Sequence, residues 1–184
     1  MAFQSTTPTI GVNLGGTDVS AILADGTTSG SPSFQMGTRV LGSDGTEWQY
    51  RQTPTAIMAF CLVAISTSGT IGKASVADAM AGRQLAFAQN TFAANEWGWV
   101  ALRGTGGPNN AFKVMVNSTA TSLAALYVSS TTGVLSTQGS SSATVAGIFL
   151  AGASGSATTT TTAMACIATW PKVQFSGTLG QQGI

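Results

Sequence analysis

Along much of this chain polar and apolar residues alternate with a period of two, which predicts strands rather than helices. The first such run is Thr38-Arg39-Val40-Leu41, followed by Gly42-Ser43-Asp44-Gly45 and then Thr46-Glu47-Trp48-Gln49-Tyr50. Asp-Gly between two strand-like runs signals a hairpin, because a type I′ turn needs positive φ at both central residues. Trp48 and Tyr50 fall on one face of the second strand, Glu47 and Gln49 on the other. Residues 56–65 form an apolar run that reads as one buried strand, closed by the turn Ser66-Thr67-Ser68-Gly69. From 84 to 92 the alternation returns, with Leu85, Phe87 and Gln89 on one face and Ala86, Ala88 and Asn90 on the other. Trp97, Trp99 and Ala101 then share a face. Gly98 leaves the opposite side bare, as a bulge or the close approach of another backbone requires.

Further short strands are predicted at 112–116, 125–128, 133–135, 145–151 and 163–170. The one helical signal is Ser75-Val76-Ala77-Asp78, a capping box opening a short helix that Gly82 ends. Short strands at this spacing, separated by Ser/Thr/Gly turns, predict an all-β fold: a small antiparallel β-barrel or sandwich with one short helix. Residues 33–172 make up that domain. Residues 1–32 are rich in Thr, Ser and Gly, contain Pro8 and Pro32, and show no sustained periodicity, so they read as an extended N-terminal arm. The apolar positions Ile10, Val12, Leu14, Val19 and Ile22 point to an arm that docks on a partner by adding strand-like segments. Residues 152–162 read as a polar low-complexity loop, and residues 173–184 as a C-terminal tail.

Composition changes the picture of the surface. With 184 residues, 43% of them hydrophobic, the chain can bury a core and is not disordered for want of apolar content. Only 7% of residues are charged, against roughly a quarter in an average soluble domain. A surface of Ser, Thr, Asn and Gln repels its neighbours weakly, which suits a protein covered by other subunits. The seven basic residues are spread from Arg39 to Lys172 without a run. That distribution supports neither nucleic-acid binding nor an anionic-membrane patch. The N-terminus lacks a signal-peptide pattern, and a ten-residue apolar run falls short of the ~20 that span a bilayer. The expectation is a protein made in a cytoplasm.

Candidate chemistry is sparse. The absence of histidine removes Ser-His-Asp and Cys-His catalysis and the commonest metal ligand. Cys61 and Cys166 lie in apolar runs and read as buried thiols, with a disulfide between them left open. Without CxxC spacing a structural zinc site is unsupported. Of the six carboxylates, Asp44 is accounted for by a turn and Asp78 by a cap, which leaves little for a two-carboxylate glycosidase. A calcium site at Asp44 and Glu47 lacks the oxygen-rich positions of a binding loop. Residues 67–74 imitate a phosphate loop. However, Thr67 stands where its first glycine belongs and Ala74 where its magnesium-binding hydroxyl belongs. Trp48, Trp97, Trp99 and Trp170 fit a core or a subunit interface, with sugar stacking as the alternative. The expectation is a structural protein with no catalytic residue, metal or cofactor.

Several segments together resemble the head decoration (cement, head-stabilising) proteins of tailed phages. They are Leu41-Gly42-Ser43-Asp44-Gly45-Thr46-Glu47-Trp48, Ala93-Ala94-Asn95-Glu96-Trp97-Gly98-Trp99-Val100, Leu126-Tyr127-Val128 with Gly133-Val134-Leu135, Val145-Ala146-Gly147-Ile148, and Ala168-Thr169-Trp170-Pro171. They cover about residues 34–172 in order and leave out the N-terminal arm. The resemblance implies a small β-barrel, a homotrimer, seated on the outer capsid surface where major capsid protein subunits meet. There it would clamp neighbouring capsomers against the pressure of packaged DNA. The residues expected to touch partners, read from the sequence itself, are Ile10, Val12, Leu14, Val19, Ile22, Trp97 and Trp99. A tail-tube or fibre component is the second structural reading, and a carbohydrate-binding module the third.

Overall fold

The computed structural model describes residues 14, 17–18, 32–42, 45–104, 113–117, 125–129, 131–137, 143–150 and 162–175. A seven-stranded sheet contains β1 (Thr17–Asp18), β2 (Arg39–Leu41), β3 (Glu47–Gln52), β4 (Leu62–Ile65), β5 (Ile71–Lys73), β6 (Gln84–Ala88) and β7 (Trp97–Arg103). Its order is β2-β3-β7-β6-β4-β5, with β1 paired to β7 alone. The second half of the chain supplies β8 (Lys113–Val116), β9 (Leu126–Val128), β10 (Leu135–Ser136), β11 (Ala143–Leu150) and β12 (Thr162–Phe175). These close into a barrel in the order β10-β8-β12-β11-β9. The protein is thus all-β, a curled sheet packed on a small barrel. One barrel pair, β8 with β10, is parallel, with Leu135 opposite Val116.

Alternation along the strands becomes two cores, because the sheet is buried on both sides. Trp48, Tyr50, Leu62, Leu85, Phe87 and Trp99 face the barrel and pack with its inward residues, among them Val116, Leu126, Ile148, Leu150 and Cys166. Val63, Ile65, Ala86, Ala88, Val100 and Leu102 face the other way and pack with Ile57, Cys61, Ile71 and Phe92. The sheet curls enough for the tip of the β4–β5 hairpin to reach β3, where Arg51 Nη1 donates to the Gly69 carbonyl at 3.0 Å. Residues 67–74 are therefore part of a plain hairpin, with Ser66 N–H donating to Thr70 O at 2.8 Å. The capping box is formed as well. Asp78 N–H donates to Ser75 Oγ at 3.2 Å and Ser75 N–H to Asp78 Oδ2 at 3.0 Å. These bonds open helix α1 (Val76–Met80), and Gly82 follows it with φ +68°.

Main-chain and side-chain hydrogen bonds tie the layers together. Gln89, just past β6, acts as a substitute peptide group: its Nε2 donates to Lys113 O at 2.9 Å and its Oε1 accepts from Lys113 N–H at 3.1 Å. Gly133 N–H donates to Ala74 O at 2.8 Å, and Gly133 O accepts from Leu62 N–H at 2.9 Å. Gly133 has φ +80°, which favours glycine, and a Cβ there would also crowd Cys61 Sγ at 3.2 Å. Gly104 and Ala168 exchange bonds at 3.0 and 2.8 Å, which carries β7 onto β12.

Three expectations change. Residues 56–65 are not one strand. Phe60 adopts φ +67° and donates to Ala88 O, while Ala88 N–H donates to Cys61 O. Two residues thus oppose one in a bulge, and the regular strand begins only at Leu62. The first half of the run is not uniformly buried either: Ile57 is buried, Ala56 and Met58 are exposed, and full burial begins at Cys61. Next, β12 runs beyond the expected boundary at 172 to Phe175, pairing with β11 as far as Ala143. It crosses Pro171 because the register shifts there, opposite Gly147, where a residue without an N–H is tolerated. Finally, the domain begins before residue 33. Leu14 is fully buried in the core facing the barrel, and Thr17 and Asp18 pair with Gly98 and Trp97.

Candidate interaction surfaces

The N-terminal segment meets β7 where β6 departs from it. Strand β6 pairs with Val100 and Ala101, and β1 takes over the same edge at Trp97 and Gly98. Asn90 Nδ2 donates to the Leu14 carbonyl at 3.3 Å. Leu14 therefore belongs to the chain's own core and is not exposed for a partner. Ile10, Val12, Val19 and Ile22 lie outside the described residues.

The tryptophans divide by depth. Trp48 and Trp99 are core residues, at 0% and 2% exposure, so neither offers a face for partner contact or sugar stacking. Trp97 is half-buried and stacks on Tyr50, with ring centroids 5.9 Å apart and planes 15° apart. Phe34 completes the cluster, 5.4 Å from Tyr50 and 5.2 Å from Trp99. Of the two tryptophans expected to touch partners, only Trp97 reaches the surface. The side chain of Trp170 lies outside the described set.

Exposed apolar side chains lie elsewhere. Among the described residues Leu41, Met58, Met80, Phe149 and Ile167 are the large ones. Phe149 and Ile167 stand directly opposite each other on β11 and β12, at 49% and 36% exposure. Their strand neighbours Leu150 and Cys166 point inward. The pair forms an apolar spot on the outer wall of the barrel, which sequence alternation alone assigned to no particular face.

A charged groove forms where the ends of β2, β3 and β7 meet. Glu47, nearly buried, bridges two arginines: Oε1 to Arg39 Nη1 at 3.2 Å and Oε2 to Arg103 Nε at 3.1 Å. Both arginine side chains are close to half exposed. With Val40 and Leu41 they line a groove of about 360 Å³. Arg51 lies further along the same face of β3. Burial first, and then the charge of Arg39, lower its pKa from the ordinary arginine value. Gln49, between Glu47 and Arg51, is buried, with its Nε2 on Gly37 O and its Oε1 unpartnered. Basic residues that are far apart along the chain are thus gathered by the fold. Alternation in the β2–β3 hairpin could have placed Arg39, Glu47 and Arg51 on one face, but the pairing that brings Arg103 to them is long-range.

The described acidic side chains have structural partners. Asp78 caps α1 and pairs with Arg83, and Glu96 Oε2 accepts from Ala93 N–H at 2.6 Å. Among the described residues no group of three or more His, Cys, Asp or Glu could hold a metal ion. Cys61 and Cys166 are both free and buried, and burial raises both thiol pKa values. Thiolate chemistry is disfavoured at both. No described helix is long and apolar enough to cross a membrane. Comparison with protein-family models, curated proteins and solved structures yields no match.

Proposed function

We propose that the chain is a virion structural protein that binds the outer capsid surface between major capsid protein subunits and stabilises the head. The observation that carries this reading is the exposed Phe149–Ile167 pair on the barrel wall of a chain with only 7% charged residues. Apolar side chains on a weakly charged surface gain most when neighbouring subunits cover them. The segments resembling decoration proteins supply the β2–β3 hairpin, the aromatic strand β7, and parts of β9 to β12. They are therefore the framework that would present such a surface. Binding to the assembled shell and not to free subunits raises shell stability by mass action. Self-association into a trimer belongs to the same reading.

A pelleting assay with particles of the virus that encodes the chain tests it. The double variant Phe149→Ser/Ile167→Ser removes a partly exposed cross-strand pair, which costs the fold roughly 0.2–1 kcal/mol, and its urea unfolding curve is recorded beside the binding. We expect it to fold and to bind particles at least about tenfold more weakly, the loss of roughly 1.4 kcal/mol of apolar contact. A chain lacking residues 2–13 keeps Leu14 and β1, and reports separately on the arm. Undiminished pelleting of both would sink the proposal.

A further inference from the structure

We infer that a buried water molecule bridges Gln49 and Arg51 where the two edges of the curled sheet approach each other. Gln49 and Arg51 are two residues apart on β3, so their side chains leave the same face of the sheet. Each is anchored at one atom. Gln49 Nε2 donates to Gly37 O at 3.2 Å, and Arg51 Nη1 donates to Gly69 O at 3.0 Å. Each also carries a second polar atom, Gln49 Oε1 and Arg51 Nε, that is shut off from bulk solvent and has no partner within the chain. Gln49 as a whole is only 4% exposed. Leaving a buried acceptor and a buried donor unpaired is costly, and a trapped water is the usual remedy.

The two anchors place the unpaired atoms on the same side of β3. Residues 36–37 lead into β2 and residues 66–70 into β5, and these strands are the two edges of the sheet. Gly37 N–H donates to Tyr50 O at 2.9 Å, between Gln49 and Arg51. A Cβ on Gly69 would lie 2.9 Å from both Arg51 Nη1 and Met36 Sδ. Both side chains therefore lean toward residues 36–37. Oε1 and Nε stand the same number of bonds from the backbone. Side chains two apart on a strand start roughly 7 Å from each other, and one water bonded to both atoms spans up to about 5.6 Å.

The two atoms also select what joins them. An anion would accept from Arg51 Nε but be repelled by the Gln49 oxygen, and a cation would meet the reverse. A neutral molecule that both donates and accepts suits the pair, and burial restricts it to the smallest, water. The Gly37 and Gly69 carbonyls, each with a second lone pair, offer a third partner, in keeping with the roughly three hydrogen bonds of a buried water. Such a water ties residues 36–37, β3 and the tip of the β4–β5 hairpin into one joint. This joint holds the curl of the sheet whatever the protein binds.

The test uses the full chain labelled with ¹⁵N, with water contacts read at the Arg51 Nε–H. That proton should show a water cross-peak of dipolar sign in laboratory-frame and rotating-frame spectra, as contact with a long-lived water gives. Gln49→Met keeps the length of the side chain and removes the acceptor. It should abolish this cross-peak and leave those of exposed amides in place. A crystal structure of the unaltered chain should place one water oxygen within about 2.7–3.2 Å of both Gln49 Oε1 and Arg51 Nε. Two of these readings need no variant, so they hold even if Gln49→Met misfolds. A cross-peak of exchange sign alone, one that survives Gln49→Met, or a protein group or anion bonded to either atom would each overturn the proposal.

Discussion

Leu14→Ala is expected to lower the unfolding free energy of the domain by about 2–5 kcal/mol, the range for deleting most of a buried leucine. Leu14 is fully buried with Trp48, Tyr50 and Trp99 in the core between sheet and barrel. Its carbonyl is held by Asn90, and three residues later the chain pairs with β7. Truncation to alanine removes most of a fully buried side chain and leaves a cavity wherever the surrounding core does not collapse into the space. Urea unfolding followed by tryptophan fluorescence measures the change, with the chain lacking residues 2–13 as control. That control should stay close to the full chain. A shift of less than about 0.5 kcal/mol for Leu14→Ala would mean that the segment is a detachable arm.

The second large effect is at Gln89. Its amide spans the gap between β6 and β8 as a peptide group would, satisfying the N–H and the carbonyl of Lys113 at once. Gln89→Leu keeps the approximate volume and removes both partners. Leaving part-buried main-chain groups without partners costs about 1–3 kcal/mol each, so a loss of about 2–5 kcal/mol is expected. Gln89→Glu separates the two bonds. An ionised carboxylate still accepts from Lys113 N–H but faces the Lys113 carbonyl with no donor. Burial and that carbonyl raise the folded-state pKa of the introduced carboxyl above its unfolded value. The protonated form is then the favoured one in the fold. Relative to the unaltered protein, the variant is least destabilised below the unfolded carboxyl pKa. Its deficit grows as pH rises through the interval to the folded-state pKa. Unfolding curves at pH 4 and pH 7 check the sign. A deficit that shrinks with rising pH would contradict this account of the joint.

These two residues also show how far the sequence could be read. Alternation correctly placed Leu85, Phe87 and Gln89 on one face, and Trp48 with Tyr50 on another strand's face, because the period of two is local chemistry. The β2–β3 hairpin and the Ser75–Asp78 capping box were legible for the same reason: neighbouring residues satisfy each other. The turn, however, is not the two-residue Asp-Gly one. Gly45 N–H donates to Gly42 O, Gly42 N–H donates to Thr46 O, and Gly45 takes φ +80° at the end of a three-residue loop. Nothing in the period says which strands pair or which of two buried faces an apolar residue enters. Gln89 looked like an ordinary polar member of an alternating run, and its role depends on Lys113, 24 residues away. Leu14 ends a short alternation, Ile10-Gly11-Val12-Asn13-Leu14, that does not continue past Gly15 and Gly16, so nothing local says whether it enters the chain's own core or a partner's. Arg39, Arg51 and Arg103 seemed scattered because the β3–β7 pairing that gathers them joins distant segments. Trp99 was expected at a partner surface and is core with Ala101, whereas Trp97, at the start of the same face, is only partly covered.

The capsid reading draws on the resemblance and on the exposed apolar pair, and occupancy of the particle tests it most directly. Electron cryomicroscopy of virus particles purified with this chain present should show a two-layered β density repeated with icosahedral symmetry on the outer capsid surface. The density should abut junctions between major capsid protein subunits. The Phe149–Ile167 wall should be covered by a neighbour. Density confined to the tail, or particles with no copies of the chain, would contradict the account.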